Sequence, residues 1–284
     1  MPGARSRCPG VADMIPVGPF PGSPALRIAS LVPSLTELLV ELGLHDCLVA
    51  RTGFCIHPAG ALRDVPKVGG TKDVNLAKLQ RLAPTHVLVN MDENRRETVA
   101  SIQAWPQAPQ VIVTHPLRPD DNLTLVAQMV EHFGAHHPAV VERADALTRA
   151  LQHELDLTHA GSRPARCVLY LIWRDPWMTV ARDTYLAAML ARVGWRTLPE
   201  VHGGVSGAAR YPLVRGDEPW LADVQEVLLS SEPYCFTAQH LAEARALCPN
   251  ADARLVDGEL LSWYGARAIG GLRYLREIAD AGAK

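Results

Sequence analysis

Cys167-Val168-Leu169-Tyr170-Leu171-Ile172, followed at once by Trp173-Arg174-Asp175-Pro176-Trp177-Met178, is the stretch on which the fold turns. An unbroken apolar run of this length reads as a strand buried on both faces, which is the habit of parallel sheets in α/β proteins. In open α/β sheets ligands gather just beyond the carboxyl ends of the strands. The run therefore places two indoles and a guanidinium where a ligand would sit. Large aromatics also pack cores and interfaces, so ligand contact and packing stay open for Trp173 and Trp177 on this stretch alone.

The same grammar appears upstream. Ile28 to Val32 reads as a strand that passes through Pro33-Ser34 into a helix with Leu35, Leu38, Leu39 and Leu42 on one face. Ser34 and Glu37 have the spacing of a capping box, and Gly43 ends the helix. A strand feeding straight into a helix presents free backbone N–H groups able to hold an anionic group. A strand near Leu48 to Arg51 then runs into Thr52-Gly53-Phe54-Cys55-Ile56-His57-Pro58. Asn75 is expected to cap a short helix, Thr85 to Asn90 to form a buried strand that discharges into Met91-Asp92-Glu93-Asn94-Arg95, and Val111 to Thr114 a further strand. Lys67-Val68-Gly69-Gly70-Thr71-Lys72 lacks the spacing of a phosphate-wrapping loop, which argues against nucleotide hydrolysis.

Two helical patterns follow, one from Asp121 to Phe133 and a long one from Pro138 to about His159. At about 1.5 Å per residue the second spans roughly 30 Å, enough to bridge two α/β units. Beyond the tryptophan loop a helix at Thr184 to Arg192 is expected under an Asp183 cap, then a Gly-rich stretch from Glu200 to Pro219 that reads as a cleft rim. A strand at Val224 to Leu229 runs into Ser230-Ser231-Glu232-Pro233-Tyr234, matching the Glu93 loop of the first half. A strand at Arg254 to Val256, the segment Asp257 to Gly265 and a helix from Ala266 to Ala279 close the chain.

The expected architecture is α/β: two Rossmann-like lobes with mainly parallel sheets, joined by a long backbone helix, with a ligand cleft between them. The expected divisions are a flexible segment at 1–24, an N-terminal lobe at 25–117, a helical bridge at 118–162 and a C-terminal lobe at 163–284. A net charge of -2 over 284 residues gives no footprint for nucleic acid or an anionic membrane. No apolar run reaches membrane-spanning length, and residues 1–24 carry no continuous apolar core of a secretory signal. The expectation is a cytoplasmic protein as written, or a periplasmic one if the true start lies upstream. The six cysteines show no metal-ligand spacing and suit reduced thiols.

Taken together, Ser30-Leu31-Val32-Pro33-Ser34-Leu35-Thr36-Glu37, Gly69-Gly70-Thr71-Lys72, Glu93-Asn94-Arg95, Trp173-Arg174-x-Pro176-Trp177-Met178-Thr179, Ser230-Ser231-Glu232-Pro233-Tyr234 and Ser262-Trp263-Tyr264-Gly265 resemble the substrate-binding proteins of the cobalamin and iron-siderophore class, the helical-backbone metal receptors, and especially their cobalamin-binding-protein-like branch. The resemblance runs from about Arg27 to Arg276. It implies a monomer that clamps a small metal-chelate ligand between its lobes, carries no intrinsic cofactor or metal, and, if exported, delivers cargo to an ABC permease through acidic residues such as Glu97 and Asp183. The ligand-contact candidates are Ser34, Phe54, Asn90, Glu93, Trp173, Arg174, Trp177, Glu232, Tyr234, Trp263, Tyr264 and Arg267, with Arg182 as a further polar candidate. A cleft tryptophan of the cobalamin carriers falls at Asn90 here, so cobalamin and other metal chelates both stay open.

Two other readings stand beside this one. A cytoplasmic corrinoid- or metal-cofactor-handling protein or enzyme on the same fold would draw acid–base groups from Glu93, Glu232, Asp257 and Glu259, and metal ligands from Cys55, His57, His115 and His202. A ligand-free interaction protein would fill the cleft with its own side chains.

Overall fold

A computed structural model describes residues 25–135, 137–161 and 163–281. The expected flexible segment at 1–24 lies outside the described residues. The strands are β1 Ile28–Ser30, β2 Leu48–Arg51, β3 His86–Asn90, β4 Gln110–Thr114, β5 Arg166–Leu171, β6 Trp195–Thr197, β7 Glu226–Ser230 and β8 Asp252–Val256. The helices are α1 Pro33–Glu41, α2 Ala59–Leu62, α3 Leu76–Arg81, α4 Arg96–Gln103, α5 Asp121–Phe133, α6 Pro138–Leu157, α7 Tyr185–Ala191, α8 Leu241–Leu247, α9 Gly258–Ser262 and α10 Arg267–Ala281.

The strands form two four-stranded sheets, ordered β2-β1-β3-β4 and β6-β5-β7-β8, and every pairing is parallel. Alternate residues feed opposite faces, as the pleat requires. Ile28, Leu88 and Ile112 join one buried cluster, while Ala29, Val87 and Val89 join another behind the sheet. In the second sheet Val168, Tyr170 and Leu228 face one core, and Leu169, Leu171, Val227 and Leu229 the other. Burial on both faces is why these strands read as unbroken apolar runs.

In each sheet the chain reverses its direction of winding between the two central strands, β1 and β3 in one and β5 and β7 in the other. Such switch points open a crevice at the strands' carboxyl ends.

α6 ties the two halves together. Its Val140, Ala144 and Leu151 lie in the core beneath the first sheet, and Leu155 lies in that of the second. α10, expected wholly within the second half, also crosses: Ala268 packs in the first core and Leu272, Leu275 and Ala279 in the second. Between these helices the buried Glu154 carboxylate takes Arg273 Nε and Arg276 Nη2, each at 2.6 Å.

Three local expectations are corrected. α1 starts at Pro33 with Val32 as N-cap and no side-chain cap, so the Ser34–Glu37 capping box does not form. A first-turn proline needs no N–H partner, and Glu37 is drawn to Arg267 instead, at 2.7 and 2.9 Å. α7 is capped by Thr184, which accepts from Ala187 N, while Asp183 accepts from Gly203 N and Gly204 N at 3.0 and 2.7 Å. Arg182, the further polar candidate for ligand contact, is instead paired with Glu200 at 2.5 Å. β6, α8 and α9 are additional elements; Trp195–Thr197 has only 3 residues, too few for a periodic signal.

Candidate functional site

The carboxyl ends of β1, β3, β5 and β7 converge on one cavity of about 690 Å³ between the two sheets. Its walls are mainly apolar and aromatic. From the first half come Ser34, Phe54, Asn90, Asp92 and Glu93, and from the second Trp173, Tyr185, Arg210, Tyr211 and Glu232, with Glu259, Trp263 and Tyr264 closing one side. Phe54 is 62% exposed and Trp173 40% exposed, so two large apolar rings are held out toward solvent at the cavity.

Of the twelve candidates, Ser34, Phe54, Asn90, Glu93, Trp173, Glu232, Trp263 and Tyr264 line the cavity, whereas Arg174, Trp177, Tyr234 and Arg267 stand behind its walls. The turn after β5 separates the two tryptophans. Ile172 N donates to Met178 O and Met178 N to Trp173 O, at 3.0 and 3.1 Å, which folds the segment back on itself. Trp173 is left facing the cavity while Trp177 stacks on Phe236, centroids 5.9 Å apart. Tyr234 meets Trp173 edge-on at 5.7 Å and Phe236 at 4.7 Å, so it props the exposed indole from behind. Arg174 pairs with Glu243 at 2.5 Å and with Asp175, beneath Trp177. Arg267 lies over the Trp263 ring at 4.6 Å and is held by Glu37 and Glu259.

Two carboxyls face the cavity from equivalent loops, Glu93 after β3 and Glu232 after β7. Tyr264 Oη donates to Glu93 Oε1 at 2.8 Å, and Ser262 Oγ and Trp263 Nε1 donate to Glu232 Oε1 at 2.9 and 2.7 Å. Burial pushes Glu93 up to about 7 against the Tyr264 bond, with the Glu232 charge adding to the rise. Burial also raises Glu232, opposed by Ser262 and Trp263. These donors fix both side chains without supplying a reactive partner.

Asn90 is spent on structure. Its Oδ1 accepts from Asp92 N at 2.8 Å, and its own N donates to Asn94 Oδ1 at 2.9 Å, so the pair shapes the loop that carries Glu93.

Asp92 and Arg210 were not foreseen. Arg210, 1% exposed, donates to Gly204 O at 2.7 Å and lies 3.3 Å from Asp92 Oδ2, while His115 approaches Asp92 at 3.5 Å. A lone arginine in a polar loop gives no periodic signal; only the reading of 200–219 as a cleft rim pointed there.

Among the described residues no three His, Cys, Asp or Glu side chains are grouped to hold a metal ion. His57 and His115 pair with Glu259 and Asp92, Cys55 is buried behind the cavity, and His202 is exposed. Of the docking candidates, Glu97 is exposed on α4, whereas Asp183 is committed to Gly203 and Gly204. No helix among the described residues is long and apolar enough to cross a membrane.

The fold that carries this site has counterparts. The chain is 24% identical over 217 residues to a vitamin B12-binding protein of Vibrio cholerae serotype O1, covering 76% of this chain and 72% of that protein. It superposes on the solved periplasmic vitamin B12-binding protein of Vibrio cholerae with a TM-score of 0.73 at 20% identity, covering 92% of this chain and 99% of the other. The periplasmic haem-binding protein of Roseiflexus sp. RS-1 gives 0.71 at 19% identity, with 92% and 100% covered. These likenesses fix the fold of two α/β lobes.

They also overturn the cytoplasmic expectation. That reading rested on the composition of residues 1–24, outside the described residues, whereas the relatives of known structure are periplasmic and the periplasmic alternative fits them. The periplasmic binding protein family, a family of solute-binding proteins, matches residues 28–208, which hold the first sheet, the bridging helix and the tryptophan turn, and the chain belongs to that family.

Proposed function

We propose that this chain binds a metal-chelate ligand, cobalamin-like or another flat macrocycle, in the cleft between its lobes, and passes it to a membrane permease without chemical turnover. In this reading the lobes are residues 25–117 and 163–284, with 118–162 as the bridge. Phe54, Trp173 and Trp263 supply flat contact, and Ser34, Glu93, Glu232 and Tyr264 orient the ligand. The observation that carries it is the pair of exposed rings, Phe54 and Trp173, held at a cavity of about 690 Å³. Cavities of roughly 300–1,000 Å³ with apolar walls and few polar groups suit small-molecule ligands. The proteins it resembles bind vitamin B12 and haem by name, both macrocyclic metal chelates.

Thermal unfolding with cyanocobalamin, dicyanocobinamide, hemin and a ferric siderophore tests this. A ligand binding only the folded protein adds about 2.7 kcal/mol at a hundredfold excess over Kd. A rise in Tm with at least one of the four is expected. No rise with any of them at about 100 μM would overturn the reading.

A further inference from the structure

The charge of the cavity wall narrows the ligand class, an inference that rests on the chelate-binding reading above. The ionisable side chains lining the cavity, tyrosines aside, are Asp92, Glu93, Glu232 and Glu259 against Arg210 alone, four carboxylates to one guanidinium. Arg210 is already committed to Asp92 and to Gly204 O.

The basic side chains around the wall stand beside carboxylates. Arg267 is held by Glu37 and Glu259, His57 Nε2 lies 3.1 Å from Glu259 and His115 Nε2 3.5 Å from Asp92. Lys72 is exposed, and its Nζ donates to the Asp92 carbonyl at 2.6 Å. The first turn of α1, uncapped by any side chain, adds about half a positive charge. That does not reverse the sign set by the carboxylates. Among the buried polar atoms of the wall without a hydrogen-bond partner, Asp92 Oδ1 is a carboxylate acceptor, beside the Ser34 hydroxyl and the Nε of the Arg210 guanidinium that Asp92 already pairs with.

We propose that the cleft selects metal chelates whose rim is neutral or cationic and rich in N–H donors, such as primary amides, and rejects chelates of the same size whose rim carries carboxylates. An amide N–H donating to a carboxylate makes a charge-assisted bond, whereas a second carboxylate meets like charge in a partly dry cleft. Glu93 and Glu232, rising from the two lobes, would set this preference from both sides of the ligand.

Three probes on the full chain at about pH 8, above the value of about 7 to which burial pushes Glu93, decide the matter. Dicyanocobinamide and dicyanocobyrinic acid share the same cobalt macrocycle and differ in carrying amides or carboxylates; hemin has a different macrocycle with carboxylates. Binding is read by quenching of tryptophan fluorescence. Dicyanocobinamide is expected to bind about tenfold or more tightly than dicyanocobyrinic acid, and Glu93→Gln with Glu232→Gln should narrow that ratio by about tenfold. The wild-type ratio needs no variant, so a double variant that fails to fold leaves the test intact. Equal binding of the two corrinoids, or tighter binding of hemin than of dicyanocobinamide, would overturn the charge selection and leave chelate binding standing. If none of the three bound, the charge selection would fall, and the chelate-binding reading would fall with it only if cyanocobalamin and the ferric siderophore also failed to raise Tm.

Discussion

Tyr264 Oη donates to Glu93 Oε1 at 2.8 Å across 171 residues of chain, joining the segment after α9 to the loop after β3. The bond stands in a site that raises Glu93 from 4.5 to about 7 mainly by burial. The folded protein therefore keeps a proton that the unfolded chain releases near 4.5, and between those values it binds more protons than the unfolded state. Stability must fall as pH rises through that window. Urea unfolding from about pH 5 to about pH 8 should show this decline, and Glu93→Gln should flatten it, leaving the smaller slope of the same sign from Glu232. Identical slopes in wild type and variant would refute the assignment.

The two tryptophans of the Trp173–Met178 turn should separate under substitution. Trp173 is 40% exposed at the cavity, so Trp173→Ala should leave Tm nearly unchanged and weaken ligand binding by about tenfold or more. Trp177 stacks on Phe236 outside the cavity, so Trp177→Ala should cost about 2–3 kcal/mol of stability with little change in affinity. Paired thermal melts and titrations check both, and the reverse pattern would mean the turn faces the other way.

Arg210 and Asp92 make the buried contact between the Gly-rich rim and the first half. Removing one partner of such a pair strands the other charge, so Arg210→Ala should lower unfolding stability by about 3 kcal/mol. Replacing Asp92 with Asn keeps a hydrogen-bond acceptor and should cost less. Urea midpoints for both variants test the order.

The α/β alternation was legible because the central strands β1, β3, β5 and β7 are buried on both faces and so write unbroken apolar runs, as Cys167 to Leu171 does. The long helix was legible from its apolar spacing. What escaped were features set by contacts distant in sequence. Arg210 is buried against Asp92 of the first half and the Gly204 carbonyl, and α9 starts against the loop after β7. Arg174, Trp177, Tyr234 and Arg267 fall in the right segments yet point behind the wall, since the hydrogen bonds of the Ile172–Met178 turn and the pull of Glu37 on Arg267 decide their direction. Composition and spacing carry no record of such directions.

Gly258, the first residue of α9, sits where a side chain would collide with the site. A Cβ there would lie 2.3 Å from Ser230 Oγ, 2.8 Å from Glu232 Cγ and 3.0 Å from Glu232 N. Gly258 N also donates to Ser231 Oγ at 2.8 Å, so the helix start and the loop after β7 cannot separate freely. Gly258→Ala should therefore push Glu232 out of place, and with it Trp263, whose Nε1 is bonded to Glu232. Overpacking of this kind costs about 1–3 kcal/mol, and affinity should drop by about tenfold because two wall residues move together. Gly60→Ala is the control: its Cβ meets nothing within 4 Å on the short helix α2, where alanine is favoured by about 0.5–1 kcal/mol. If Gly258→Ala bound ligand as tightly as Gly60→Ala, the loop carrying Glu232 would not be held by the start of α9, and the placement of Glu232 in the wall would have to come from Ser262 at the end of that helix and from Trp263.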